Sequence, residues 1–262
     1  MKSLFTTFAL VIIMTLSNAA EAAIKTQTIS YQAGSVTAKG VLVYDTKFTG
    51  QRPGVLVVPE WWGLNDYTRH RAEMLAKLGY VAFAADMYGD GKTTEDAGEA
   101  GKLAGPLKAG DRAEMRVRVA AAFEQLKNNP HVDTSKLAAI GYCFGGTTVL
   151  ELARSGADLN GVVSFHGGLD ASTAPAPTTI KPKLLIEHGA ADPMVPPEQL
   201  AAFETEMKNA NADYHVDKYP GAQHAFTNPA ADSHHIPGIA YNKAADEGSW
   251  AAMEKFFAEI FG

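Results

Sequence analysis

Short apolar runs alternate with amphipathic segments of helical period along most of this chain, and no other feature narrows the fold as much. Gly54-Val-Leu-Val-Val58 and Val81–Ala85 are apolar throughout, as strands buried on both faces are. Leu137–Tyr142, Gly161–Phe165, Lys183–Glu187 and Asp213–Tyr219 read as further strands. Helices are expected over Arg69–Leu78, closed by Gly79, and over Asp111–Lys127, Thr147–Arg154, Glu198–Lys208 and Tyr241–Ile260. Two strands of alternating pattern, Thr28–Tyr31 and Lys39–Tyr44, come first, with Gly34 available for the turn. The alternation predicts an α/β fold, a mainly parallel sheet with helices on both faces. Ligands of such sheets bind beyond the carboxyl ends of the strands, so functional residues are sought just after each strand. The glycine-rich segment 89–110 admits two readings: a loose helix lying over the site, or a solvated connection.

A length of 262 residues suits one such domain, and a hydrophobic share of 46% is enough for a sizeable core. The net charge of −6, with no basic block, argues against nucleic acid or anionic membrane as a partner. Lys2, the mostly apolar stretch from Leu4 to Leu16 and the small residues Ser17, Ala19, Ala20, Ala22 and Ala23 have the layout of a signal peptide. Residues 1–22 are therefore expected to be removed on export to the periplasm or the medium, leaving a domain over 23–262. The apolar stretch is short for a membrane anchor, and no later run is long enough to span a bilayer, so stable membrane insertion is not expected. A single cysteine allows neither an internal disulfide nor a Cys-rich metal site, and the histidines lack zinc-finger spacing. No metal or organic cofactor is expected, and oligomeric state is not legible.

The one thiol sits in Gly141-Tyr142-Cys143-Phe144-Gly145-Gly146, between a strand and a helix. A nucleophile elbow needs glycines there because the turn is sharp and the nucleophile's backbone strained. A helix N-terminus behind Cys143 favours a thiolate, and the Phe144 N–H is placed to serve as half of an oxyanion hole. The alternative reading makes Cys143 a small apolar residue in a glycine-rich turn. Two later segments argue against it. Asp192 lies in a Gly- and Pro-flanked loop after the strand ending at Glu187, and His224 in a loop after the strand ending at Tyr219. Nucleophile, acid, histidine is the chain order expected on such a sheet. Each match alone is weak, since Asp192 suits a turn and His224 a surface loop; the three in order carry the inference. Glu60, Trp61 and Trp62 follow the first buried strand, with Glu60 a further carboxylate at the ligand-binding edge and the Trp61 N–H a candidate second oxyanion donor. His188 suits local packing, and the pair His234-His235 reads as solvated.

On these residues the chain resembles the dienelactone hydrolase (carboxymethylenebutenolidase) family of α/β-hydrolases. The matching pieces are Pro59–Gly63, Ala85–Gly89, Gly141–Gly146, Asp192 with Val195-Pro196, and His224-Ala225-Phe226. The resemblance implies a Cys143–His224–Asp192 triad and a Glu60 that meets the resting thiol and helps form the thiolate. It implies attack on an ester or lactone carbonyl, with the Phe144 and Trp61 amides holding the oxyanion and Trp62 and Tyr88 lining the substrate pocket. Family members that act on dienelactone carry arginines after the Asp-x-Tyr and His-x-Phe segments; here those places read Tyr88-Gly89-Asp90 and Phe226-Thr227-Asn228. Arg69 or Arg71 is left as a substitute from another loop, and a neutral small-molecule ester or lactone is the expected substrate. Rival readings are a carboxylesterase or thioesterase of other specificity on the same residues, a non-catalytic binding protein on the same fold, and a redox-sensing thiol that lacks a resolving cysteine.

Overall fold

The computed structural model describes residues 23–262; the expected signal peptide, 1–22, lies outside them. Among the described residues the strands are β1 (Ile24–Ala33), β2 (Val36–Asp45), β3 (Arg52–Val58), β4 (Val81–Ala84), β5 (Val132–Tyr142), β6 (Gly161–Phe165), β7 (Lys183–Gly189) and β8 (Tyr214–Tyr219). They form one sheet in the order β1-β2-β4-β3-β5-β6-β7-β8. β3 to β8 run parallel, while β2 joins β4, and β1 joins β2, antiparallel. The helices are α1 (Asp66–Lys77), α2 (Ala97–Lys108), α3 (Ala113–Lys127), α4 (Phe144–Arg154), α5 (Pro197–Asn209) and α6 (Lys243–Phe261). None is long and apolar enough to cross a membrane.

Strand alternation divides the core in two. Leu56 and Val58 of β3, Leu137 and Ala139 of β5, and Leu184 and Ile186 of β7 face α2, α3, α4 and α5. Their neighbours Val55, Val57, Ala138, Ile140 and Leu185 face α1 and α6. Both faces of the central strands are thus covered, which is why those strands read as apolar without alternation. At roughly 25 cal/mol per Å² of apolar surface, this double burial is the main force holding the sheet.

Segment 89–110 contains α2, a helix interrupted by Gly98, Gly101, Gly105 and Pro106. Its intrinsic propensity is poor. Burial of Ala100, Ala104 and Leu107, and an Asp96 side chain that accepts from the Glu99 N–H at 2.8 Å, hold it in place. Helix α4 starts at Phe144, three residues earlier than the sequence pattern suggests, because its first turn is built from glycines.

A buried ion-pair cluster fastens α3 to α4. Glu151 has no exposed surface and accepts from Arg112 at 3.1 Å, Arg116 at 2.7 Å and Arg154 at 3.2 Å. Arg112 also pairs with Asp170, in the loop after β6. Removing the carboxylate strands buried guanidinium groups, so Glu151→Ala is expected to lose about 3–5 kcal/mol of stability. A urea titration with unchanged slope and a lower midpoint is the expected readout. A loss under about 1 kcal/mol would show that the arginines find water instead.

Candidate active site

Cys143 lies between β5 and α4 at φ 54° and ψ −115°, a backbone region that L-residues seldom adopt. The flanking glycines explain how the turn closes. A Cβ on Gly141 would come within 2.0 Å of the Gly145 carbonyl oxygen, and one on Gly145 within 2.2 Å of the Val58 carbonyl oxygen. The start of α4 is therefore pressed against the end of β3, where Glu60 and Trp61 begin. Among the described residues neither the Phe144 N–H nor the Trp61 N–H is spent on a protein acceptor. Both remain available to an incoming oxygen.

His224 and Asp192 come to this turn from the loops after β8 and β7. His224 Nδ1 and Asp192 Oδ2 are 2.8 Å apart, and the His224 ring lines the same cavity as Cys143. The Asp192 carboxylate is fixed by the Met194 N–H, which donates to Oδ1 at 2.8 Å. The loop carrying His224 is itself clamped: the His224 N–H donates to the Gly238 carbonyl, and the Ala240 N–H to the His224 carbonyl. Burial opposes the charged imidazole, yet a charge on Cys143 and the hydrogen bonds to Asp192 and Cys143 outweigh it, pushing the His224 pKa up to about 10. An imidazole held by a carboxylate and facing the same cavity as a thiol can take the proton from sulfur and return it to a leaving group.

Glu60 is buried, and burial pushes its pKa up to about 7 against the pull of the Asn228 hydrogen bond and of His224 and Arg71. Asn228 Nδ2 donates to Glu60 Oε2 at 2.6 Å. The carboxyl thus has the Asn228 amide as its hydrogen-bond partner, where the family resemblance led us to expect the resting thiol. Nothing local in the sequence pairs residues 168 positions apart; the signal for Asn228 is only its nearness to His224.

The cavity over Cys143 measures about 470 Å³. Trp61, Ala104, Phe144, Met194, Val195 and Ile239 supply its apolar walls; Lys108, Asp170 and Gln199 supply polar groups. Trp62 and Tyr88 do not line it, which corrects the expectation for both. Tyr88 is buried behind Trp61, its hydroxyl donating to the Trp61 carbonyl at 2.9 Å. Trp62 packs between Trp61 and His234, with ring centroids 4.9 Å and 4.1 Å away, and lines a separate polar cavity with Arg69. Arg71 is engaged by Asp246 and the Thr227 carbonyl, and neither arginine lines the Cys143 cavity, whereas Lys108, from α2, does. Among the described residues no three His, Cys, Asp or Glu side chains converge as a metal site.

A mainly parallel sheet, covered on both faces and carrying this cluster at the carboxyl ends of its strands, defines an α/β-hydrolase. The chain belongs to the dienelactone hydrolase family, whose model matches residues 39–261 and whose members are hydrolases acting on lactone and ester bonds. The crystal structure of a dienelactone hydrolase-like promiscuous phosphotriesterase from metagenomic libraries aligns with a TM-score of 0.88 at 44% identity, over 92% of this chain and 100% of that one. A second structure, m3DLH, aligns with a TM-score of 0.88 at 43% identity and the same coverage. A Bradyrhizobium sp protein described as a probable 2-oxo-3-(5-oxofuran-2-ylidene)propanoate lactonase is 29% identical over 211 residues, 77% of this chain and 82% of that one.

The burial of Glu60 has a consequence for stability. Its pKa rises from an ordinary 4.5 to about 7 on folding, so folding favours the protonated form. That contribution is fully present below the unfolded pKa and is lost as pH rises through the folded one, a swing on the order of 3 kcal/mol. Glu60→Gln cannot ionise. It is expected to resist urea better than the wild type at pH 8, with the gap nearly closed at about pH 4. A variant less stable than the wild type at pH 8 would show that the surroundings favour the carboxylate.

Proposed function

We propose that the protein hydrolyses small carboxylic esters or lactones, with Cys143 as nucleophile, His224 as proton carrier and Asp192 as the group that orients His224. The observation that carries this reading is the position of the His224 ring, bonded to Asp192 and lining, together with Cys143, one mostly apolar cavity. The proton of the thiol passes to His224, and the sulfur attacks the carbonyl carbon. A carbon–sulfur bond forms while the carbonyl π-electrons move onto oxygen, which the Phe144 and Trp61 amides receive. Collapse breaks the bond to the alkoxide, and the alkoxide takes the proton from His224. Water, deprotonated by His224, then cleaves the thioester, and the thiolate leaves.

Glu60 enters this scheme as a carboxylate that supports the His224 imidazolium, held by Asn228. A cavity of about 470 Å³ accommodates a small ester or lactone. No arginine grips the substrate in this reading, and no cofactor is needed. Export after loss of residues 1–22 is part of the proposal, supported by the composition of that segment.

Mature protein mixed with p-nitrophenyl acetate is expected to release a burst of nitrophenol equal to the enzyme concentration, abolished by prior iodoacetamide. Cys143→Ala should lose turnover by about 10³-fold or more, and His224→Ala nearly as much. Full hydrolysis by Cys143→Ala would sink the mechanism. A protein that only binds would give neither burst nor turnover, and its Cys143 would resist alkylation.

A further inference from the structure

His166, the first residue after β6, lies beneath this cluster and has no part in the scheme above. It is 1% exposed, and its φ of 41° is unusual for a residue with a side chain. Both ring nitrogens are used. Nδ1 accepts the Cys143 N–H at 3.1 Å, sharing that hydrogen with the Phe165 carbonyl at 3.0 Å. An Nδ1 that accepts carries no proton, so the proton resides on Nε2, which then donates to Thr227 Oγ1 at 2.7 Å. Thr227 lies three residues beyond His224 and directly before Asn228, the partner of Glu60. It is fixed from behind: the Tyr67 hydroxyl is 2.6 Å from Thr227 Oγ1, and Arg71 Nη2 donates to the Thr227 carbonyl at 2.6 Å. One imidazole therefore bridges the strained turn that carries Cys143 and the loop that carries His224 and Asn228.

A histidine that merely filled space would not need both nitrogens satisfied on two separate loops. Nor does it act as a second proton carrier. Its ring stands edge-on to that of His224, with centroids 5.4 Å apart, and burial together with the charges of His224 and Arg71 holds its pKa well below the ordinary value. Protonation would convert Nδ1 from acceptor to donor and break its bond to Cys143.

We infer that His166 is a positioning residue: a neutral imidazole that sets the separation of the Cys143 sulfur and the His224 ring by tying the Cys143 N–H to Thr227. The inference rests on the reading of Cys143 as nucleophile. The test compares His166→Asn, His166→Gln and His166→Phe in the full mature chain. The asparagine carbonyl falls near the place of Nδ1 and restores the acceptor for Cys143, whereas the glutamine amide falls near Nε2 and restores only the donor to Thr227. His166→Phe is expected to lose about 100-fold in kcat for p-nitrophenyl acetate with KM changed by about threefold or less, the cost of a misplacement on the order of 1 Å. Its rate of alkylation by iodoacetamide at a fixed pH should fall as well, since the sulfur is no longer set against the His224 ring. His166→Asn should recover kcat to within about tenfold of wild type, and His166→Gln should stay near the phenylalanine variant. Wild-type kcat and alkylation rate in His166→Phe would overturn the inference, as would equal losses in all three variants together with a shared fall in Tm. Cys143→Ala separates the two layers. If it keeps full turnover, the nucleophile reading falls with everything built on it; if it is inactive while His166→Phe is fully active, only the positioning role falls.

Discussion

The contact between the start of α4 and the end of β3 is the constraint on which the rest of the site depends. Gly145 lets the helix press its first turn onto the Val58 and Pro59 carbonyls, and Gly141 lets the strand reach the same turn. Only with both in place can Cys143 occupy φ 54°, a conformation whose cost is about 1–3 kcal/mol. The same closeness decides how far the Phe144 N–H stands from Trp61, so one packing constraint sets both the exposure of the sulfur and the width of the proposed oxyanion site. The strain persists because the surrounding sheet over-determines it: β5 is bonded to β3 on one side and β6 on the other, and the Cys143 N–H is held twice, by Phe165 and by His166.

Around that turn three buried titratable side chains are tuned apart by their neighbours alone. His224 and His166 are both buried, yet His224 rises to about 10 while His166 falls. Their difference is in their partners. His224 meets the Asp192 carboxylate and the Cys143 sulfur, whereas His166 meets a backbone N–H and a threonine hydroxyl. Desolvation lowers the charged form of each, and only His224 has negative charge close enough to reverse it. Glu60 completes the set, since burial carries its carboxyl into the neutral range with Asn228 as its hydrogen-bond donor. Neighbouring groups driven in opposite directions are the pattern from which acid–base roles are assigned.

Much of this was legible in the sequence, for physical reasons that can be named. Central strands buried on both faces must be apolar throughout, so β3 to β7 stand out, and the rule that ligand groups follow strands leads to Glu60, Cys143, Asp192 and His224. The same rule leads to His166, directly after Phe165 and before Gly167-Gly168, but its partners Cys143 and Thr227 lie far off in the chain, so nothing local assigns it a role. Helix α2 is ambiguous in the sequence because its glycines and proline disfavour a helix, and only tertiary burial overrides them. Trp61 and Trp62 show another limit. Their rings pack on each other with centroids 4.9 Å apart, yet one walls the Cys143 cavity and the other stacks on His234, and composition cannot say which does which.

The Cys143 cavity also shows why the missing arginines do not leave it wholly apolar. Helix α2 brings Lys108 to the cavity, while Asp170 is drawn off by Arg112, which is itself buried against Glu151. The Gln199 carbonyl oxygen accepts the Leu169 N–H at 2.8 Å, which leaves its amide hydrogens for other partners. The ion-pair cluster that joins α3 to α4 therefore reaches the site as well, by holding the loop after β6 against one side of the cavity. Stability and reactivity are arranged in series along this path. A fully paired cluster around Glu151 steadies the wall, and the wall bounds the mostly apolar cavity that His224 and Cys143 share. Exchange of the cluster for water would relax that sequence from its far end, well away from the sulfur.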